Sequence, residues 1–338
     1  MKRYGNLFDK ITDIDNIRLA HAQAQRGKKH YTAVKKINTD PESFLLEIQR
    51  LLISGEFTTS AYRTEEIFDG KKQRTIHKLP YYPDRIVQHA VMNICAPIWR
   101  KSFIRDTYQS IEGRGCHDAR RRINTYLAKA PKHHAIKLDI HKYYPSVPNV
   151  QMKLCIRKSI KCQGTLTLLD NIIDSHNGLP IGNYTSQYLG NLYLNNLDWW
   201  AKQESGVGAY FRYCDDIVLM DISSAKVHKV LQQVVAKIES LGLEVKSDIQ
   251  YRHVEGQGLD FCGFVFFGKA TRLRTRIMQN LKLAAAGATK SKVLKSLMSY
   301  WGWVKPIDAK ALWRTVISTR LLNFTDGVFT NNPLRATI

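Results

Sequence analysis

The sequence predicts an α+β fold, in which short antiparallel strands are set between longer helical segments. Two kinds of periodicity support this. Residues 136–140, 211–221 and 259–267 are apolar, β-prone runs bounded by turn-forming residues, as strands are. Residues 84–99 and 223–241 instead repeat apolar residues at helical spacing. No internal repeat is present, and no apolar run approaches the roughly 20 residues that span a bilayer.

The N-terminal part is predicted to be helical and basic over residues 1–60. Lys28 and Lys29 lie in a basic stretch, which is either a solvated loop or an arm that contacts RNA phosphates. Residues 61–80 predict a β-hairpin with its turn at 69–70. Lys72, Arg74 and Lys78 alternate along the second strand and therefore share one face. That face suits a nucleotide triphosphate, or it is simply the surface of a ribbon.

The middle of the chain alternates helices with loops. A basic helix carries Arg120 and Arg121, which are placed to follow a phosphate backbone. Residues 150–175 are mostly helical. A loop over residues 178–187, rich in glycine and small polar residues, contains Gly182, Ser186 and Gln187 and opens a helix. Such a junction offers backbone N–H groups and a close approach of the backbone to a ligand.

Three carboxylates mark the chemistry. Asp139 ends one apolar strand, and the pair Asp215 and Asp216 lies between two further apolar runs. An Asp-Asp pair is by itself an ordinary hairpin turn. If the strand and the hairpin are neighbours in one sheet, however, the three carboxylates converge and repel unless cations lie among them. Their oxygens suit Mg²⁺, and two ions about 3.5–4 Å apart can clamp a phosphoryl displacement.

The C-terminal part combines basic and aromatic residues. Residues 259–267 predict a hairpin, and residues 269–338 are predicted to be helical, with Lys290 and Lys292 among their basic residues. Trp301 and Trp303 either stack on nucleic acid or pack in a helical core. Both uses are compatible with one small bundle that cradles a duplex.

Composition narrows the class of partner. The chain has 51 Lys and Arg against 29 Asp and Glu, a net charge of +22, which favours nucleic acid as the partner. The six cysteines show no C-x-x-C pair, which favours reduced thiols and disfavours a zinc site. With no signal-peptide core at the N-terminus, we expect a cytoplasmic protein that is not attached to a membrane.

Taken in order, these motifs resemble those of reverse transcriptases. Asp139 with Tyr144 is similar to the family's first palm motif and its sugar gate, and residues 182–187 to its template loop. Residues 213–216 are similar to its Tyr-x-Asp-Asp box, and residues 259–264 to its primer grip. Lys246 lies near the position of the next motif's lysine but at a different spacing, so it is left out of the predicted site.

The resemblance implies a right-hand polymerase fold with fingers, a palm built on a small antiparallel sheet, and a helical thumb. The implied divisions are an N-terminal helical basic extension over 1–60, fingers over 61–135, a palm over 136–268 with finger-derived helices at about 150–180, and a thumb over 269–338.

The resemblance also assigns roles. The implied catalytic residues are Asp139, Asp215 and Asp216, which hold two Mg²⁺ ions together with the backbone carbonyl of Ile140. The implied nucleotide-binding residues are Lys72, Arg74, Lys78, Tyr144, Gly182, Ser186 and Gln187. The implied primer grip is Phe261, Cys262 and Gly263, and the implied RNA-binding residues are Lys28, Lys29, Arg120, Arg121, Lys290 and Lys292.

Two departures from the group II intron enzymes narrow the lineage. The template loop has the form I-G-x-x-x-S-Q over residues 181–187, and Ile111-Glu112 stands where the family often has Arg-Pro. The chain is most similar to single-domain, defence-associated bacterial reverse transcriptases, and next to those of diversity-generating retroelements. The expected partners are a structured noncoding RNA template, dNTPs and the RNA/DNA heteroduplex. The alternative from another class is a catalytically silent RNA-binding scaffold.

Overall fold

The computed structural model describes residues 3–69, 72–285 and 290–307, and it leaves the side chains of residues 69, 72, 285 and 290–295 undescribed. Three predicted site residues therefore have side chains outside the described part, namely Lys72, Lys290 and Lys292. Residues 308–338 of the predicted thumb also lie outside it.

The predicted helical residues 1–60 form four helices. They are α1 (Phe8–Thr12), α2 (Ile14–Ala24), α3 (Thr32–Ile37) and α4 (Pro41–Ile53). The side chain of Asp13 separates α1 from α2 because it accepts hydrogen bonds from the backbone N–H groups of Asp15 and Asn16, as an N-cap does. Asp40 caps α4 in the same way through the N–H of Ser43.

The predicted hairpin follows. It consists of β1 (Arg63–Asp69) and β2 (Lys72–Lys78), paired antiparallel from Arg63 opposite Lys78 to Asp69 opposite Lys72. A wide helical turn over Tyr81–Arg85 then leads into α5 (Ile86–Arg100), whose apolar stripe is buried. This helix is the one that periodicity predicts over residues 84–99.

A four-stranded antiparallel sheet organises the middle of the chain. Its strands are β3 (His134–Asp139), β4 (Ala209–Tyr213), β5 (Asp216–Asp221) and β6 (Gln250–His253), in the order β4-β5-β3-β6. Beyond the end of β3, a single antiparallel bridge joins Ile140 to Val245. The edge strand β6 was not predicted because its four residues are polar or aromatic and show no apolar alternation.

Helices cover both faces of this sheet, which explains why the central strand β5 carries a continuous apolar run. Along β5, Ile217 and Leu219 face one hydrophobic core, whereas Val218 and Met220 face a second. The helices between the strands are α6 (Cys116–Leu127), α7 (Tyr143–Ser146), α8 (Asn149–Arg157), α9 (Gln163–Asp174), α10 (Tyr184–Tyr193), α11 (Asn195–Gln203) and α12 (Ser224–Ser240).

The C-terminal part corrects one expectation. After α13 (Val254–Gln257), a three-stranded sheet forms from β7 (Leu259–Phe261), β8 (Phe264–Phe267) and β9 (Ala270–Leu273). Residues 269 and onward were predicted to be helical, and this is wrong for β9. Gly268, at φ +66°, supplies a tight turn that pairs Phe267 with Ala270. Helices α14 (Thr275–Ala285) and α15 (Lys290–Val304) and a 3₁₀ turn (Lys305–Ile307) follow.

The cysteines and the helix lengths can be compared with the expectations from composition. All six cysteines lie in the described residues and carry free thiols. Across those same residues, we find no helix with the length and apolar character needed to cross a membrane.

Candidate active site

The predicted carboxylates meet at one end of the four-stranded sheet. Asp139, the last residue of β3, lies directly opposite Asp216, the first residue of β5. Asp216 also pairs with Tyr213 of β4, so Cys214 and Asp215 form a two-residue hairpin turn. Cys214 has φ +59°, a conformation that is uncommon for a residue with a side chain. The turn is therefore Cys214–Asp215, one residue earlier than the Asp-Asp pair suggests.

The carboxylates repel each other in a half-buried setting. Burial raises the pKa of Asp215, and the neighbouring charge of Asp139 raises it further. Burial likewise raises the pKa of Asp216, and the negative charges of Asp139 and Asp215 add to this effect. The positive charge of Lys137 acts in the opposite direction but does not cancel the rise. Both shifts have the sign expected when an anion is desolvated next to others.

Two lysines compensate part of this negative charge. The ammonium of Lys137 lies 3.4 Å from Oδ1 of Asp216. The ammonium of Lys246 donates a hydrogen bond to Oδ1 of Asp139. Burial lowers the pKa of Lys246, but this hydrogen bond and the charges of Asp139, Asp215 and Asp248 together raise it above its usual value. Its backbone N–H also donates to the carbonyl of Asp139, at 2.9 Å. The sequence left Lys246 out of the site on its spacing, and the structure brings it into direct contact.

The three carboxylates have the chemistry needed to bind a divalent cation, because carboxylate oxygens are the hard ligands that such ions prefer. Two of the three carboxylates are paired with lysine ammonium groups, which a bound cation would displace. Two backbone hydrogen bonds form the bridge between Ile140 and Val245: the N–H of Lys246 donates to the carbonyl of Asp139, and the N–H of His141 donates to the carbonyl of Glu244. Neither bond uses the carbonyl of Ile140. As the described side chains stand, no group of three His, Cys, Asp or Glu residues is arranged to hold a metal ion.

A buried ion pair supports the hairpin turn. Arg212 and Asp198 are both fully buried, with Nη2 of Arg212 at 2.6 Å from Oδ2 of Asp198. Nη1 of the same arginine donates to the backbone carbonyl of Cys214 at 3.0 Å. Tyr210 adds a hydrogen bond from its hydroxyl to Oδ1 of Asp198. The sequence analysis did not predict this ion pair, and the only sequence feature that points to it is the arginine inside the apolar strand β4.

Tyr144, the predicted sugar gate, lies beside the turn. Burial raises its pKa, as does its contact with the thiol of Cys214. A Cβ atom added to Gly190 of α10 would lie 3.3 Å from the ring of Tyr144 and 3.4 Å from that of Tyr143. The hydroxyl of Tyr143 donates to the carbonyl of Gly190 at 2.5 Å. Tyr144 is thus packed tightly between the turn and α10.

The predicted template loop is hydrogen-bonded to the β1–β2 hairpin. The N–H of His77 in β2 donates to the carbonyl of Ile181 at 2.8 Å. Gly182 has φ +121°, and a Cβ there would lie 2.6 Å from the carbonyl oxygen of His77, so this approach requires glycine. Ser186 is buried and donates to the carbonyl of Pro180 at 2.8 Å, which closes the loop. Gln187 is exposed and accepts from the hydroxyl of Ser110.

The predicted basic residues are placed differently from one another. Arg74 and Lys78 are exposed on β2, and Lys78 forms an ion pair with Glu65. Lys28 is half-buried, whereas its neighbour Lys29 is exposed. On α6, Arg121 pairs with Asp118 at 2.9 Å. The guanidinium of Arg120 lies over the ring of Phe264, 5.9 Å from its centroid, and its Nε is buried without a hydrogen-bond partner.

The predicted primer grip is the turn between β7 and β8. Phe261 pairs with Phe264, and both turn residues have positive φ, +50° at Cys262 and +83° at Gly263. A Cβ on Gly263 would lie 2.7 Å from the ring of Trp303. The side chains of Phe261 and Cys262 are buried, so the backbone is what this turn presents. Trp303 packs against it, as the core alternative for the tryptophans predicts.

Comparison with known proteins agrees with this arrangement. The family model described as reverse transcriptase (RNA-dependent DNA polymerase) matches residues 69–251, which contain strands β3, β4 and β5 and the three carboxylates. Protein YkfC of Escherichia coli (strain K12) is 23% identical over 337 residues, covering 84% of this chain and 87% of that protein.

The fold is also found among solved structures. Apo telomerase from Candida Tropicalis superposes with a TM-score of 0.52 at 11% identity, covering 80% of this chain. The chain spans 62% of the length of that telomerase chain. With the helices and small antiparallel sheets described above, this likeness agrees with the right-hand polymerase fold. The chain belongs to the reverse transcriptase (RNA-dependent DNA polymerase) family.

Proposed function

We propose that the chain copies a structured noncoding RNA into cDNA by Mg²⁺-dependent phosphoryl transfer, and that it does so in bacterial antiphage defence. The observation that carries the chemistry is the register that sets Asp139 opposite Asp216, with Asp215 in the adjoining turn. A protein that only bound RNA would gain nothing from burying Asp215 and Asp216 beside Asp139, because burial and the neighbouring negative charges raise the pKa values of Asp215 and Asp216.

In this proposal, Asp139, Asp215 and Asp216 hold two Mg²⁺ ions, with the carbonyl of Ile140 as a further ligand. When bound, the ions lower the pKa of the primer 3′-hydroxyl and neutralise the pyrophosphate leaving group. The chain's own residues supply position and charge, which are the main needs of phosphoryl transfer. Lys137 and Lys246 neutralise the carboxylates until the ions arrive.

The substrate contacts follow from the same arrangement. Arg74, with Lys72 and Lys78, holds the triphosphate from the exposed face of β2. Tyr144 excludes ribonucleotides by occupying the space of a 2′-hydroxyl. Gly182 and Gln187 support the template–nucleotide pair, and Ser186 acts through the loop that its hydroxyl closes. The β7–β8 turn at Phe261, Cys262 and Gly263 positions the primer end.

The proposed divisions are the extension over 1–60, fingers over 61–135, a palm over 136–268 and a thumb over 269–338. Basic residues of the N-terminal extension, of the thumb and of α6 hold the RNA and the heteroduplex. These residues are Lys28, Lys29, Arg120, Arg121, Lys290 and Lys292. The expected site of action is the cytoplasm.

The biological role rests on the sequence of the template loop. The I-G-x-x-x-S-Q form over residues 181–187 is similar to that of diversity-generating retroelements and related bacterial lineages, whereas Ile111-Glu112 replaces the Arg-Pro pair. The latter departure favours a defence-associated enzyme with a noncoding RNA encoded nearby over a mutagenic retroelement enzyme.

The deciding experiment expresses the chain with its native flanking DNA and sequences both the bound RNA and the new cDNA. One dominant noncoding RNA with complementary cDNA, absent in Asp215→Ala, is the expected result. Asp215→Ala should retain the RNA, because the substitution removes a catalytic carboxylate and no phosphate contact. Bound RNA without cDNA, with and without phage challenge, would favour a silent scaffold. A cDNA that is a mutated copy of one member of a neighbouring repeat pair would favour the retroelement.

A further inference from the structure

Two cysteines meet where α6 lies against the turn between β7 and β8. Cys116 is the first residue of α6, and Cys262 is the first residue of the two-residue turn. Their thiols are hydrogen-bonded to each other, and the thiol of Cys116 is also hydrogen-bonded to the hydroxyl of Tyr213. Cys116 is partly exposed, whereas Cys262 is 8% exposed. An accessible thiol therefore lies directly beside a buried one.

Ring contacts on the same part of α6 hold the two elements together. The ring centroid of His117 lies 5.8 Å from that of Phe264, the first residue of β8, and 5.6 Å from that of Trp303. About one helical turn further along α6, the guanidinium of Arg120 lies over the ring of Phe264. The meeting of Cys116 with Cys262 is thus part of a packed interface and does not depend on the two thiols alone.

The backbone conformation of Cys262 is uncommon for a residue with a side chain. Its φ is +50°, and Gly263 follows at φ +83°. Two-residue turns with positive φ at both positions favour Asn-Gly, Asp-Gly or Gly-Gly, because other side chains are strained at the first position. Cys262 nevertheless places a thiol there. Strained residues are concentrated at functional sites, so this observation points to a chemical role for the thiol.

The surroundings of Cys116 favour its thiolate. The hydrogen bond with Cys262 lowers the pKa of Cys116 to about 7, and the hydroxyl of Tyr213 and the charge of Arg274 act in the same direction, whereas burial opposes them. The start of a helix adds a partial positive charge at this position. The thiolate is the form of cysteine that reacts with oxidants. Cys116 is therefore equipped to attack an oxidant, with Cys262 in place as the second thiol.

Another pair of neighbouring cysteines provides a comparison. Burial and the neighbouring Cys162 raise the pKa of Cys95 to about 12. Burial also acts on Cys162, but hydrogen bonds that include one with Thr165 lower the pKa of Cys162 overall. Both cysteines lie in the described part of the chain, and no hydrogen bond joins their thiols. Cys162 is therefore a matched control, because its thiolate is favoured but no second thiol is bonded to it.

We propose that Cys116 and Cys262 are an oxidation site, at which a hydroperoxide converts the two thiols to a disulfide that ties α6 to the β7–β8 turn and stops primer extension. Sulfurs in a disulfide are about 2.05 Å apart, closer than in a hydrogen bond, so the turn must shift toward α6. The linkage itself does not depend on the proposed function. Its effect on activity does, since this turn is proposed to position the primer, and Tyr213, which contacts Cys116, pairs with Asp216.

The oxidation takes place in two steps. The thiolate of Cys116 attacks one oxygen of the hydroperoxide, the O–O bond breaks, and the other oxygen leaves as water or an alcohol after taking up a proton, so that Cys116 becomes a sulfenic acid. The thiol of Cys262 then attacks that sulfur, the S–O bond breaks, and the hydroxyl group leaves as water with the proton of Cys262. The two thiols lose two electrons in all, which the hydroperoxide gains. A thiol reductant reverses the change by exchange.

The first test treats the purified full-length chain with hydrogen peroxide, blocks the remaining thiols with N-ethylmaleimide and analyses the non-reduced peptides by mass spectrometry. We expect a peptide containing Cys116 linked to one containing Cys262, which dithiothreitol separates, and no linkage at Cys162. Sulfinic acid at Cys116 without any linkage, or linkage of Cys162 at an equal rate, would overturn the proposal.

Two variants test the roles of the two thiols. In Cys262→Ser the second thiol is missing, so a sulfenic acid should accumulate on Cys116 and be labelled by dimedone, which the wild type should not be. In Cys116→Ser, Cys262 should stay reduced, because a buried thiol without its attacking partner does not react with peroxide. Oxidation of Cys262 in Cys116→Ser, or equal dimedone labelling of Cys262→Ser and the wild type, would overturn the assigned roles.

Primer extension is then measured on the same samples after catalase has removed the peroxide. Activity should be lost in proportion to the linked fraction and return with dithiothreitol. Cys116→Ser should keep its activity after peroxide, whereas Cys162→Ser should lose it as the wild type does. Linkage without loss of activity would overturn the control of primer extension. A reduced wild type that makes no cDNA would refute the proposed function instead, and the linked peptide would still decide the oxidation site.

Discussion

Lys246 donates a hydrogen bond to Oδ1 of Asp139 across 107 positions of the chain, and Lys137 lies 3.4 Å from Asp216 on the same end of the sheet. The two ammonium groups face two of the three carboxylates that are proposed to hold metal. They balance charge in the metal-free protein and compete with the ions for the same oxygens.

This competition makes Lys246→Met informative. Without the ammonium group, Asp139 keeps its negative charge but loses the partner that balances it. We therefore expect a lower melting temperature in EDTA and a larger increase in melting temperature when Mg²⁺ is added. The apparent Mg²⁺ affinity, measured as that gain, should rise several-fold. Lys226→Met is the matched control, because Lys226 pairs with Asp221 at 3.3 Å at the other end of β5. An equal Mg²⁺ response in both variants would contradict competition at Asp139.

The raised pKa of Asp215 predicts a pH-dependent cost in stability. A carboxyl whose pKa is higher in the folded than in the unfolded state binds more protons when folded, so stability falls as pH rises from about 3.8 through the raised value. Asp215→Asn should therefore melt at a higher temperature than the wild type at pH 7 in EDTA. The difference should shrink as the pH falls through 3.8, because below that value both the folded and the unfolded wild type become protonated at Asp215. A wild type that is more stable than the variant at pH 7 would refute the proposed repulsion.

Selection against ribonucleotides should depend on Tyr144 and on its packing. Tyr144→Ala should lower the preference for dNTPs over rNTPs by about tenfold or more, corresponding to about 1.4 kcal/mol. Tyr144→Phe keeps the ring and should keep the preference. Gly190→Ala places a methyl group 3.3 Å from the ring and should slow dNTP incorporation by displacing it. Single-nucleotide kcat/KM values for each variant test these outcomes, and an unaltered preference in Tyr144→Ala would exclude it as the gate.

The hairpin turn should depend on its buried ion pair. Arg212→Met leaves Asp198 as an unpaired buried charge and removes the donor to the carbonyl of Cys214. Loss of one partner from such a pair typically costs about 3–5 kcal/mol, measured by denaturant unfolding. The exposed pair of Arg18 with Glu42 is the control, and Arg18→Met should cost far less because solvent screens that pair. Similar costs for the two variants would show that the buried pair is not a special support of the turn.

Much of the site could be predicted from local sequence. The apolar runs around Asp139 and Asp215 identify strands because alternation and β-propensity act over a few residues. Gly182 marks a loop for a similarly local reason. The strand β9 and the edge strand β6 were missed because their residues carry no apolar pattern, and pairing with β8 and β3 decides their structure.

The sequence by itself determined the residue types of the site, the strands that carry them, and a charge of +22 that favours nucleic acid. Only the tertiary structure decided that Asp139 lies opposite Asp216, that Lys246 contacts Asp139, and that Cys116 meets Cys262. The physical reason is that strand register and side-chain contacts between distant segments depend on how the whole core packs. A local pattern specifies which face of an element is buried, but not which residue of another element it meets.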